Sequence, residues 1–204
     1  YMQQPVETKG LLMAAKELNT FTLEEIKGSK PAGRVAFIDT ADEGNDYLSC
    51  VLGYIYEGKV FIVDVVFSQQ GAEVTEGMVA NKLVTYDCDL ALFESNNGGK
   101  SFARNVEQIL KENNYQSCLI NWQRTTSNKE TRIIMQSGYI KRYFYFRTDY
   151  QPGSQYDQFM RQLTSYSKSG GNKYDDANDS VTGLAELVKA KLRRKSGGVK
   201  AEVI

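Results

Sequence analysis

Carboxylates are the main chemical resource of this chain, because histidine is absent altogether. Without it there is no Ser-His-Asp or Cys-His nucleophile and no typical zinc site. Three acidic places stand out. Asp39 ends the apolar run Val35-Ala36-Phe37-Ile38, and Glu94 ends Leu90-Ala91-Leu92-Phe93. The third is Tyr174-Asp175-Asp176-Ala177-Asn178-Asp179-Ser180, where Asp176 and Asp179 stand three apart and Asp175 and Asp179 four apart, so either pair shares a helix face. An acid at the end of a buried strand is costly unless it is paired, exposed or bound to a cation. Several carboxylates held close together repel and raise one another's pKa until a counter-charge arrives. Hard divalent cations supply that charge through oxygen ligands, and magnesium keeps waters and substrate phosphates beside a few carboxylates. Such a site suits two-metal phosphodiester cleavage.

Each acid also has a plainer reading. Asp39 could begin a turn, Glu94 could face water ahead of Ser95-Asn96-Asn97-Gly98-Gly99, and Asp175 or Asp176 could cap a helix. Asp42, Glu43 and Asp46 read as solvated turn acids with no further role. The joint placement at two strand ends and one helix start favours a metal site.

The elements that must position these acids follow from periodicity. Strands are expected over 35–39, 47–56 and 60–67, the last two joined through Glu57-Gly58-Lys59 as a hairpin. Helical spacing covers 74–86 and 101–113, with strands at 90–94 and 117–122. Further helices are expected over 129–136, 156–166 and 175–195, with a short extended piece at 143–146. Residues 1–33 read as an approach segment with a short helix over Leu11–Ala15, and 196–204 as a frayed tail. A meander followed by alternating helix and strand gives an α/β domain with a mixed five-stranded sheet. Right-handed crossover sets the fourth strand parallel to and beside the first, which brings Asp39 and Glu94 together.

Composition sets outer limits. A chain of 204 residues can bury one substantial core, and its formal net charge of zero leaves any polyanion to a local basic patch. No apolar stretch approaches the roughly 20 residues of a membrane span. Cys50, Cys88 and Cys118 lack CxxC spacing and read as reduced thiols in a cytoplasmic protein. Trp122 reads as core. No GxxxxGK[ST] stretch occurs, so ATP hydrolysis is not expected of these residues.

The segments FIDTADEGNDYLS (37–49), GKVFIVDVVFS (58–68), LALFESNNGGKSFARNV (90–106), SNKETRI (127–133) and KYDDANDSVTGLAE (173–186) together resemble the C-terminal nuclease domain of tailed-phage terminase large subunits, within the ribonuclease H-like superfamily. The opening YMQQPVETKG is similar to the end of that family's connection from ATPase to nuclease, which implies a connecting segment over 1–33, a nuclease domain over 34–195 and a flexible tail over 196–204. The resemblance implies an endonuclease that cuts double-stranded DNA concatemers during genome packaging in the host cytoplasm. It also implies an ATPase motor domain, a portal and a small terminase subunit as partners. Asp39, Glu94, Asp176 and Asp179, with Asp175 as a further candidate, would then hold two magnesium or manganese ions. The family often has histidine just before this acidic pair, where this chain has Tyr174, so an all-oxygen site is expected. Lys100, Arg104, Lys129, Arg132 and Arg142 are the candidate DNA contacts. A Holliday-junction resolvase or a ribonuclease H would share the acids, and a non-catalytic DNA-binding module would share only the fold.

Overall fold

The apolar run at 35–38 becomes the interior of β2 (Gly33–Asp39), and all four of its residues are buried. The protein is described here by a computed structural model covering residues 10–40 and 46–196; the turn acids Asp42 and Glu43, residues 1–9 and the tail 197–204 lie outside it. β2 runs antiparallel to β3 (Leu48–Tyr56), and β3 runs antiparallel to β4 (Lys59–Ser68). Between those two strands, Glu57 and Gly58 have φ of 50° and 79°. Positive φ at both central positions gives the turn whose twist matches a hairpin.

From β4 the chain crosses through α1 (Ala72–Thr85) to β5 (Leu90–Glu94), which lies parallel to β2 with Val35 opposite Leu90 and Ile38 opposite Phe93. The expected neighbourhood of the first and fourth predicted strands is therefore found. α2 (Gly99–Glu112) leads to β6 (Leu119–Gln123), an edge strand parallel to β5. α3 (Lys129–Tyr143) returns across the sheet to β7 (Phe144–Arg147), which pairs parallel with β4. α4 (Gln155–Ser165) and α5 (Asp176–Ser196) complete the chain.

With a further strand β1 at Asn19–Phe21, the sheet has seven strands rather than five, in the order β1-β7-β4-β3-β2-β5-β6. The additions are β7, expected only as a short extended piece, and β1 (Asn19–Phe21), which pairs parallel with β7 at the other edge. Three or four residues are too few for alternation to reveal a partner. No helix forms over Leu11–Ala15; Leu12, Met13 and Ala14 are buried, and one tight turn follows at Ala15–Glu17. α3 continues past the expected residue 136 because Ile133, Ser137 and Ile140 keep one buried face despite Gly138.

Helices cover both faces of the sheet. Phe37, Leu92 and Phe146 pack with residues of α3, α4 and α5, among them Ile133, Phe159 and Leu184. Ile38 and Phe93 pack with Val79, Leu83, Phe102 and Val106 of α1 and α2 on the other. Trp122 does not join the core as expected; at the edge it remains 39% exposed. Among the described residues no helix is long and apolar enough to cross a membrane.

Candidate metal centre

Asp39 and Glu94 are the last residues of two adjacent parallel strands, so the sheet itself sets their spacing. Asp179 comes to them from the first turn of α5, and close packing brings it there. Gly183, one turn further along, lies against Phe37 of β2: a Cβ at Gly183 would meet the ring at 2.2 Å. A second fastening joins α5 to β3, where Ser180 Oγ lies 2.7 Å from Ser49 Oγ in a buried hydrogen bond. As a result, one carboxylate oxygen from each of Asp39, Glu94 and Asp179 lies within 4.8 Å of the others.

Glu94 is fixed from its own loop. Asn96 Nδ2 donates to Glu94 Oε1 at 2.7 Å and to the Thr125 carbonyl at 3.1 Å. Gly99 allows the start of α2 to press on the same strand end, where a Cβ would stand 1.9 Å from the Glu94 carbonyl oxygen. The other Glu94 carboxylate oxygen, Oε2, is buried without a hydrogen-bond partner. An orphaned buried carboxylate oxygen carries a large desolvation cost, which a cation would relieve.

The cations present are Lys129 and Arg132, both on α3, whose N-terminus is capped by Asn128 accepting from Thr131 N at 2.9 Å. Lys129 Nζ stands 2.8 Å from Asp175 Oδ1, 3.4 Å from Asp179 Oδ2 and 3.8 Å from Asp39 Oδ2. Arg132 is buried, with Nη1 3.2 Å from Asp179 Oδ1 and Nη2 2.9 Å from Glu186 Oε2. These two cations face Asp39, Glu94, Asp175, Asp179 and Glu186, so the cluster keeps an excess of negative charge. Burial, more than this imbalance, sets how Asp39 and Asp179 hold their protons. Burial holds Asp39 well above the usual carboxylate range; Lys129 opposes it, and Asp179, Glu94 and Asp176 add to it. Burial likewise pushes Asp179 up to about 6, outweighing both Lys129 and Arg132. Lys129 loses some of its hold on a proton to burial, but Asp39, Asp179 and Asp175 together raise its pKa above the ordinary lysine value.

A carboxyl whose folded pKa is raised binds its proton more tightly folded than unfolded, so stability falls as pH rises between the two values. In the metal-free protein, Asp179→Asn is therefore expected to gain stability relative to the parent as pH rises from about 4 to about 7. Urea denaturation at both ends of that window checks the sign; a relative loss at the higher pH would mean that the Lys129 and Arg132 pairs dominate.

The third acidic place divides. Asp179 joins Asp39 and Glu94. Asp176 is turned to α4, where Gln162 Nε2 donates to its Oδ2 at 3.3 Å and Gln162 Oε1 accepts from Ala177 N at 2.6 Å. Burial raises the Asp176 carboxyl, with Lys129 opposing. Asp175 lies at the start of α5, its carbonyl accepting from Asp179 N at 2.8 Å, and its side chain goes to Lys129. Of the candidate DNA contacts, Lys100 and Arg104 are exposed on the first turns of α2, Lys129 and Arg132 stand among the acids, and Arg142 is exposed at the far end of α3. Thirteen residues of helix separate Arg142 from Lys129, or roughly 20 Å.

Residues that the sequence did not single out complete the cavity of about 210 Å³, namely Thr40, Asn96, Thr125 and Ser127. Glu186 buttresses Arg132 from behind, and its place seven residues after Asp179 on one helix face was a signal available in the sequence. All the donors are oxygens, the set that hard cations such as magnesium and manganese prefer over softer metals.

Solved structures share this architecture. The chain matches the nuclease domain of the human cytomegalovirus terminase, soaked with manganese and bound to an inhibitor, with a TM-score of 0.58 and 12% identity over 87% of this chain and 94% of that one. It matches the nuclease domain of the large terminase subunit gp2 of bacterial virus Sf6 with a TM-score of 0.57 and 9% identity, over 85% and 97% of the two chains. The large terminase of a thermophilic bacteriophage, in complex with ATP-gamma-S, gives a TM-score of 0.58 at 9% identity, with 87% of this chain aligned to 45% of that one. At these identities the likeness is one of fold. No curated protein sequence matches the chain. The family model for the ribonuclease H-like domain of the bacteriophage T7 terminase covers residues 38–140, just over half of the chain. That span starts one residue before Asp39 and takes in Glu94, Lys129 and Arg132, so the chain belongs to the family of T7-type terminase ribonuclease H-like domains.

Proposed function

We propose that this domain is a divalent-metal-dependent endonuclease that cuts double-stranded DNA during genome packaging, with two ions of magnesium or manganese. The observation that carries this reading is the convergence of Asp39, Glu94 and Asp179 oxygens within 4.8 Å, with Glu94 Oε2 buried and unpartnered. Those three residues would hold the metal, and Asp175 and Asp176 flank it on α5. Bound there, the ions supply an activated water and neutralise charge at the leaving oxygen. The chain's own residues do the rest. Asn96 holds the Glu94 carboxylate in one orientation, and Arg132, backed by Glu186, does the same for Asp179. Lys129 balances the acids, while the exposed Lys100 and Arg104 at the start of α2 are placed to meet phosphates. In the complete packaging machine, the domain works beside an ATPase motor domain, a portal and a small terminase subunit, which bring DNA to a site of modest intrinsic affinity.

Plasmid nicking measured against manganese and magnesium concentration tests the reading. Supercoiled DNA is expected to be nicked and linearised with either ion and to stay intact with EDTA. Linear duplex, a four-way junction and an RNA/DNA hybrid run in parallel identify the substrate class. Preferential cutting of the junction or the hybrid would reassign the domain to a resolvase or a ribonuclease H. No cleavage, with no metal binding by calorimetry, would leave a DNA-binding module.

A further inference from the structure

The single tryptophan stands where the proposed chemistry does not use it. Trp122 lies on the edge strand β6 and keeps 39% of its surface exposed, although an indole usually contributes to a core. One exposed apolar residue needs no explanation by itself. Its surroundings do. β6 and β5 are in register, with Trp122 opposite Phe93 and Gln123 opposite Glu94, so the ring stands one residue short of the strand ends that carry the acids. The chain just beyond it builds the cavity wall: the Gln123 carbonyl accepts from Ser95 N at 2.9 Å, and Thr125 and Ser127 line the cavity. Lys100, on the first turn of α2, places its ammonium 5.4 Å from the centre of the Trp122 ring. Arg124 is exposed two residues along the same strand end, and Arg104 one helical turn beyond Lys100.

An exposed indole with a cation over its ring and more cations around it has the makings of a single-strand platform. Bases stack on aromatic faces without regard to sequence, and the neighbouring cations meet the phosphates. Register also decides which side of the sheet it serves. Trp122 shares the α1–α2 face with Phe93, whereas Asp39, in step with Val35 and Phe37, belongs to the α3–α5 face. A strand with one phosphate at the carboxylates and its next nucleotides at Trp122 must bend over the ends of β5 and β6. A paired and stacked duplex does not supply a free base there. A frayed, gapped or locally opened one does.

We infer that Trp122, with Lys100, is a binding platform for the base of an unpaired nucleotide flanking the scissile phosphate, so that the domain prefers DNA whose strands are locally opened. The inference rests on the nuclease reading above and deepens it.

Because Trp122 is the only tryptophan, emission excited at the red edge of the indole band, beyond tyrosine absorption, reports this ring alone. The full chain, held in EDTA to prevent cleavage, is titrated with oligothymidylate and with a blunt duplex of matched length, while anisotropy of labelled oligonucleotide measures binding independently. Saturable quenching by oligothymidylate, stronger than by the duplex, is expected. Trp122→Ala should weaken oligothymidylate binding about tenfold, and Trp122→Phe, which keeps a stacking face, should retain most of it. Circular-dichroism melts of both variants should match the parent, since the ring is half out of the fold. Binding by anisotropy with unchanged emission, or with Trp122→Ala as tight as the parent, overturns the inference. If that result comes with intact manganese-dependent nicking, the nuclease reading stands alone. Absence of both binding and nicking removes the nuclease reading, and the platform with it.

Discussion

Asp39→Asn is expected to lower manganese-dependent cleavage at least about 10³-fold, equivalent to roughly 4 kcal/mol of barrier, without lowering thermal stability. The two halves of that expectation come from the same environment. Burial and the neighbouring acids already hold the Asp39 carboxyl far above its usual range, so the metal-free fold disfavours its charge. Asparagine matches the shape and removes the charge. Lys129 loses its longest contact, at 3.8 Å, and keeps Asp175 and Asp179. What disappears is one of the three carboxylates proposed to hold the metal. Asp176→Asn makes the informative contrast. Its carboxylate is held by Gln162 and lies outside the three-oxygen cluster, so its loss should act through the setting of Asp179, costing about 10- to 100-fold, as supporting residues of metal sites do. Nicking rates at fixed metal, with circular-dichroism melts on the same preparations, separate the cases. Parent-like cutting by Asp39→Asn would remove the metal-site reading. A loss in Asp176→Asn as deep as in Asp39→Asn would place Asp176 among the ligands.

Much of the arrangement around Asp39 and Glu94 was legible in the sequence because strand order, crossover handedness and strand ends are low-resolution properties. Apolar runs of four residues ending in acids announce two buried strands, and the hairpin and crossover helix between them set the two parallel; Val35 does lie opposite Leu90. What escaped depends on contacts that periodicity does not encode. The short strands β1 and β7 are three and four residues long, and they exist because each pairs with a neighbour remote in sequence. As a tryptophan ending a strand, Trp122 reads as core, yet β6 is an edge strand whose side chains are mostly exposed. The choice among Asp175, Asp176 and Asp179 was open for a geometric reason. All three lie within a span of five residues, and only the tertiary contacts, Gln162 from α4 to Asp176 and Lys129 from α3 to Asp175, sort them. Arg132 was expected at DNA, and its burial between Asp179 and Glu186 follows from the packing of α3 against α5. The sequence signature of that packing, Glu186 seven residues beyond Asp179, is too common on helices to be specific.

Gly183→Ala is expected to destabilise the protein by about 2 kcal/mol and to weaken metal binding with it, although alanine is the better helix former by about 1 kcal/mol. The conflict is local and rigid. A Cβ at 183 would stand 2.2 to 2.5 Å from three atoms of the Phe37 ring, which is fully buried in β2. The ring has no room to swing, so α5 must move away from β2. Four residues earlier on that helix is Asp179, and Phe37 is two residues before Asp39. Separation of the two elements therefore opens the carboxylate cluster directly. Urea denaturation should show the loss of stability and manganese calorimetry a drop in affinity of about tenfold or more. Two controls decide the cause. Gly77→Ala, at an exposed position of α1 with nothing within 4 Å of the added carbon, should be neutral or stabilising. Phe37→Leu added to Gly183→Ala should recover part of what each change costs alone, a favourable coupling that residues in contact show and distant ones do not. If the double variant is simply additive, the glycine is not what seats α5 on the sheet, and the placement of Asp179 must be credited to the Ser49–Ser180 bond and Gln162 instead.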